Sequence, residues 1–239
     1  MPHLLRDESV FVLDLGEPGA TDTENRFTPE WMAAVHACLD EVEGASGDAA
    51  LVTTGTGKFY SNGFEPERFL ADDVADYLLA GQRLFARMLT LSVPTVAALN
   101  GHTFAAGAIF AAAHDVRVMR AERGFFCLPE IGLGFAMPGG LVIPGGMTDL
   151  LTTCLPGRGV HEAILTGRRY GGADALRAGL VDAVAAAEEV LPTAIAAAGE
   201  RASTRGPALA AMKSWMHRDV VAALGTLSRR MRLAVWRGW

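Results

Sequence analysis

Cysteine is scarce in this chain. Its three copies, Cys38, Cys127 and Cys154, are widely spaced and odd in number. No CxxC pair and no Cys/His ligand spacing occurs, which argues against a disulfide framework and a zinc site, so no metal ligands are expected. Basic residues are also in deficit, 21 Lys and Arg against 27 Asp and Glu, for a net charge of −6. A general nucleic-acid binder normally presents a basic surface, so no nucleic acid is expected as a partner. Long apolar runs are missing as well: Gly, Pro or charge interrupts each one before membrane-spanning length, and no membrane partner is expected. Met1-Pro2-His3-Leu4-Leu5-Arg6-Asp7 lacks a charged n-region followed by an apolar stretch, so no signal peptide is read. Arg237-Gly238-Trp239 is neither a peroxisomal nor a retention address. A reduced cytoplasm is the expected location.

What is present is apolar material. Half of the 239 residues are hydrophobic, enough for a full core in one domain, or one domain with a helical extension. Charge is unevenly spread. Residues up to about Asp76 are strongly acidic, while Arg201, Arg205, Lys213, Arg218, Arg229, Arg230, Arg232 and Arg237 face a single Asp219. The expected reading of that tail is a solvated helix face, with an anionic ligand or a partner surface as the other option.

The local patterns alternate. Ser9 to Leu15, Ala49 to Thr54, Thr95 to Leu99, Val116 to Met119, Gly124 to Leu128 and Val181 to Ala185 read as strands. Thr28-Pro29-Glu30 predicts a helix start, with Thr28 as the cap, and Gly44 its end. Val74 to Leu91, Ala105 to Ala113, Gly159 to Thr166 and Ala173 to Arg177 read as further helices. Asn100-Gly101 is a hairpin signal, but the Ala-rich run after it suits a buried helix better than a return strand. Segment 131–148 is rich in Gly and Pro and predicts a long loop. From Glu188 onward only helices are expected, near 188–200, 206–216 and 218–236. This alternation predicts an α/β protein with mainly parallel pairing. Segments 49–64 and 95–110 echo one another as strand followed by small-residue loop, which suggests turns of a spiral. The expected division is a core over 1–187 and a helical region over 188–239 that docks on that core or on another subunit.

Three segments carry the chemistry. Gly55 to Phe64 has glycines like a phosphate loop, but Lys58 is followed by Phe59 and the Walker pattern fails. Gly63 would let the chain turn so that the Phe64 N–H points into a cleft. Ala105-Ala106-Gly107 opens a helix whose first N–H groups lack internal partners, and its small side chains allow close approach. Tight packing explains the same residues. Glu130 lies between Phe125, Phe126 and Leu128 on one side and Ile131 and Leu133 on the other. Burial there would raise its pKa and suit a general base.

In this order and spacing the segments resemble the crotonase (enoyl-CoA hydratase/isomerase) superfamily, from about Leu4 to Met216. The resemblance rests on Lys58 to Phe64, Pro94 to Gly101, His114 to Met119, Pro129 to Gly134, Leu165 to Tyr170, Ala173 to Leu176 and Gly179 to Asp182. It implies a spiral of strand-strand-helix turns and an oxyanion hole from the backbone N–H groups of Phe64 and Ala106. It implies an acyl-CoA substrate near Ser61, Asn62, Gly63 and Gly107, and no cofactor beyond the coenzyme A of the substrate. It also implies a homotrimer or hexamer built through the C-terminal helices. Hydratases of this family use two glutamates; one matches Glu130, and the other falls at Ile109, which cannot activate water. The single glutamate resembles the Δ3,Δ2-enoyl-CoA isomerase branch. A hydratase, a thioester hydrolase or a silent acyl-CoA binder are the alternatives. His102, His114, Asp115 and Arg117 are expected to be structural. Lys58 or the C-terminal arginines are candidates for the coenzyme A phosphates.

Overall fold

A computed structural model describes residues 1–132, 143–155 and 157–227. Its larger sheet has six strands: β1 (His3–Asp7), β2 (Val10–Asp14), β3 (Ala50–Thr54), β5 (Thr95–Leu99), β7 (Val116–Arg120) and β9 (Ala183–Ala185), in the order β1-β2-β3-β5-β7-β9. Only β1 and β2 pair antiparallel. A second sheet holds β4 (Phe59–Ser61), β6 (His102–Phe104) and β8 (Phe126–Cys127), all parallel, in the order β4-β6-β8. Three turns, β3 to β4, β5 to β6 and β7 to β8, cross from the large sheet to the small one. Two of these turns continue into helices, α2 (Val74–Thr90) after β4 and α3 (Ala106–Ala112) after β6.

The central strands β2, β3 and β5 of the large sheet are buried on both faces, as parallel sheets require. Phe11, Leu13, Leu51, Ala97, Leu99 and Met119 point into the main core. Their alternates Val10, Val12, Ala50, Val52, Val96, Ala98 and Val118 meet Val190, Ala194 and Ala198 of α7 (Val190–Gly199). The helical tail therefore docks on its own sheet, at least through α7. α1 (Pro29–Gly44) starts as its sequence predicts: the Trp31 N–H donates to Thr28 Oγ1 at 3.0 Å, with Pro29 at the first helical position.

Several expectations shift. β1 lies outside the expected strands, because an exposed edge strand shows little apolar alternation. β4 and β6 are too short for any periodicity to register. Asn100-Gly101 is no hairpin but the corner between the two sheets; a Cβ on Gly101 would lie 2.3 Å from Lys58 O. The 131–148 segment is not all loop, since α4 (Gly145–Cys154) begins inside it. Its Gly146 marks close helix packing: a Cβ there would meet Ala223 of α9 (Arg218–Leu224) at 2.7 Å. Leu133, Gly134 and the 133–142 glycines and prolines lie outside the described residues, as do positions 228–236 of the last expected helix. Among the described residues no helix is long and apolar enough to cross a membrane.

Candidate active site

The small parallel sheet explains why the three segments meet. β4, β6 and β8 run side by side in one direction, so the residues that follow them emerge at one end. These are 62–64, 105–107 and 128–130. The Ala105 N–H donates to Cys127 O at 3.0 Å, which ties the second segment to the third. A Cβ on Gly63 would lie 2.9 Å from Ala106 N and 3.1 Å from Phe104 O, so the first and second segments touch. Ligands commonly bind beyond the carboxyl ends of parallel strands.

Two backbone donors stand free there. Among the described residues neither the Phe64 N–H nor the Ala106 N–H has an acceptor. Ala105, just before α3, adopts φ +51° and ψ −124°, a conformation that side chains disfavour. Gly63 has φ +77°, which glycine accepts without strain. Gly107 allows α3 to lie against β4, since a Cβ there would meet Ser61 O at 2.6 Å.

A brace that sequence reading missed holds the first segment. Residues 24–27 run alongside 60–64. The Asn62 N–H donates to Glu24 O at 2.8 Å and the Phe27 N–H to Gly63 O at 3.0 Å. The buried Asn25 Nδ2 donates to Tyr60 O at 3.0 Å, and Arg26 Nη1 to Phe64 O at 3.1 Å. Ser61 is fully buried; its hydroxyl donates to Asn25 O at 2.7 Å and accepts the Gly63 N–H at 3.2 Å. The Asn62 side chain is half-exposed. No motif announces this brace, because every one of its bonds has a backbone atom on at least one side.

Glu130 opens the 3-10 turn Glu130–Gly132 directly beyond β8. It is only 5 % exposed, and among the described residues its Oε2 has no hydrogen-bond partner. Burial pushes its pKa from the ordinary 4.5 up to about 7, while a hydrogen bond from its own backbone pulls the other way. Cys127 sits near enough for its thiol to feel the carboxylate; burial first, then Glu130, push that thiol up to about 11. Ile109 is buried on α3 and contributes only hydrocarbon.

The histidines lie elsewhere. His114 is buried and held near pKa 4 by desolvation, hence neutral. Its ring nitrogens lie 2.9 Å from Phe110 O and 2.9 Å from Thr53 Oγ1, and Tyr60 Oη lies 2.7 Å from Thr53 Oγ1. Only one direction satisfies all of them: Nδ1–H donates to Phe110 O, Thr53 donates to Nε2, and Tyr60 donates to Thr53. His102 packs among Phe59, Phe104 and Phe125 at the opposite end of the small sheet, as does Lys58 beside the Phe59 ring. Asp115 and Arg117 are tied into the fold, through Lys213 and Asp182 respectively. Of the C-terminal arginines, Arg205 binds Glu43 O and Gly47 O; Arg229, Arg230, Arg232 and Arg237 lie outside the described residues. No group of three or more His, Cys, Asp or Glu among the described residues is arranged to hold a metal.

The family model for enoyl-CoA hydratase/isomerase matches residues 6–233. The chain belongs to the enoyl-CoA hydratase/isomerase family. Its fold is accordingly the crotonase fold. An Arabidopsis thaliana relative, the peroxisomal enoyl-CoA delta isomerase 2, is 30% identical over 87% of this chain and 90% of its own. The carnitinyl-CoA dehydratase of Salmonella paratyphi A is 30% identical over 88% of this chain and 78% of its own. The solved enoyl-CoA isomerase of Mycobacterium tuberculosis superposes with a TM-score of 0.83 at 26% identity, over 100% of this chain and 98% of that one. Relatives named for different reactions thus match most of this chain, and the reaction must be argued from the site.

Proposed function

We propose that the protein is an enoyl-CoA isomerase that moves the double bond of a 3-enoyl-CoA to the trans-2 position. The Glu130 carboxylate takes a proton from C2. The electron pair shifts onto the thioester oxygen, where the N–H groups of Phe64 and Ala106 hold the negative charge. Glu130 then returns the proton at C4, the double bond ends between C2 and C3, and no water, metal or redox partner is consumed. Losing one such donor typically costs about 100–1000-fold in rate.

The observation that carries this reading is the solitary Glu130. Its carboxylate is buried, with Oε2 unpartnered among the described residues and a pKa of about 7 that suits proton removal and return near neutrality. Hydratases resembling this chain place a second glutamate where Ile109 stands, and a buried isoleucine cannot orient water. In this reading Ser61, Gly63 and Gly107 shape the substrate cleft, Asn62 borders it, and coenzyme A enters only as part of the substrate. A homotrimer or hexamer belongs to the proposal; Met212, Trp215 and Met216 of α8 (Pro207–Met216) are 64, 70 and 72% exposed, which supports a contact role for region 188–239. The proposed location is the cytoplasm.

The test is an enoyl-CoA panel in deuterated water, followed for C2 exchange, isomerisation and hydration. Wild type should isomerise 3-enoyl-CoA with exchange, and Glu130→Gln should do neither. Equal activity in the variant, or hydration of a 2-enoyl-CoA as the main reaction, overturns the assignment.

A further inference from the structure

Phe64 is held on both sides by the hydroxyl of one tyrosine. Tyr77 lies in the first turns of α2, and its ring packs edge-on against the Phe64 ring with centroids 5.1 Å apart. Its hydroxyl accepts the Glu65 N–H at 2.9 Å and donates to Phe27 O at 2.7 Å. Phe27 in turn donates its own N–H to Gly63 O at 3.0 Å. The residue before Phe64 and the residue after it are thus fastened to the same oxygen, one of them through Phe27. Gly81, one turn further along α2, leaves space for the ring: a Cβ there would come within 2.3 Å of Phe64 Cζ. Side chain and flanking backbone of Phe64 are anchored to one helix.

We propose that Tyr77 is a positioning residue that aims the Phe64 N–H at the developing oxyanion. This rests on the reading of Phe64 as an oxyanion donor. A donor on a loop stabilises a transition state only if its direction is set before the charge appears. The bond to Phe27 O needs the protonated phenol, and burial, which pushes the Tyr77 pKa up to about 12, keeps it protonated. Arg26 supplies a further fastening at Phe64 O. The dependence on Tyr77 is therefore greatest where charge develops, not where the substrate is bound.

Tyr77→Phe keeps the ring and removes the two hydrogen bonds. The expected result is a kcat reduced about 10- to 100-fold with KM changed less than about threefold, the signature of an interaction made in the transition state. The C2 exchange rate should fall with kcat, and the pH profile governed by Glu130 should stay in place. A second readout separates this proposal from the functional reading beneath it. A 3-ketoacyl-CoA bound as its enolate gives an ultraviolet band, independent of turnover. Wild type should show the band, and Tyr77→Phe should need about tenfold more ligand for it. No band in the wild type would overturn the oxyanion reading itself. An equal band and equal kcat in the variant would overturn the role of Tyr77 alone. Should Tyr77→Phe fold poorly, Arg26→Gln at the partly exposed neighbouring clamp should shift the band in the same direction; an unchanged band there would count against the brace.

Discussion

Gly63 and Ala106 touch: a single carbon added to Gly63 would sit 2.9 Å from the Ala106 nitrogen. The two segments that carry the free donors are therefore one surface, although more than forty residues part them in sequence. Gly63→Ala should displace the Ala106 N–H and strain a backbone at φ +77°. Turnover should fall about 100–1000-fold, the worth of one oxyanion donor, in a protein that still folds. Gly44→Ala, where a Cβ meets nothing within 4 Å, is the control and should leave kcat unchanged. Wild-type kinetics in Gly63→Ala would dismiss this surface as the oxyanion site.

Glu130 links rate and stability through pH. Its folded pKa of about 7 lies above the ordinary 4.5, so between these values the folded state binds more protons than the unfolded one. Stability contributed by the protonated group is full below pH 4.5 and is lost as pH rises through 7. The cost above pH 7 is on the order of 3 kcal/mol. Glu130→Gln cannot ionise, so it should gain stability relative to wild type by that amount between pH 4.5 and 8, read by urea unfolding. The wild-type kcat/KM should rise through pH 7 to a plateau as the base form fills. A stability difference that is flat with pH would show that the carboxyl titrates normally.

Lys213 joins the helical tail to the spiral. It is 5% exposed, and its Nζ bonds Asp115 Oδ2 at 2.6 Å and Val93 O at 2.9 Å. The same Asp115 oxygen accepts the Thr95 N–H at 2.8 Å. Lys213→Met should cost about 2–3 kcal/mol, below the full penalty for a broken buried pair because Asp115 is partly exposed. Adding Asp115→Asn should then cost little more. Fully additive losses would mean that the two side chains stabilise the fold independently.

Ala105 holds φ +51° and ψ −124° to start α3. Glycine adopts that region without a Cβ clash, so Ala105→Gly should stabilise the protein by about 1 kcal/mol, after its own entropic cost. Thermal unfolding should show a higher Tm with activity retained. A lower Tm would mean that Ala105 sits there without strain.

Much of this molecule is legible before folding. Apolar runs at Val10–Asp14, Ala50–Thr54 and Thr95–Leu99 mark strands because both of their faces are buried. Thr28-Pro29 marks a helix start because its cap is local chemistry. Edge strand β1 and three-residue β4 escape notice, since neither has enough buried positions to make a pattern. The small-residue loops and Glu130 are visible as segments, but packing and function ask for the same alanines and glycines.

The sequence by itself determined the alternating α/β order, the spiral echo, the presence of one glutamate and the hydrocarbon at Ile109. These follow from local preference and residue identity. Only the tertiary structure decided that three parallel strand ends bring Gly63, Ala106 and Glu130 to one end of one sheet. It also decided that Glu130 loses water and gains a pKa near 7, and that residues 24–27 and Tyr77 clamp the Phe64 backbone. Desolvation and backbone hydrogen bonds depend on what arrives from elsewhere in the chain, and no window of sequence contains them.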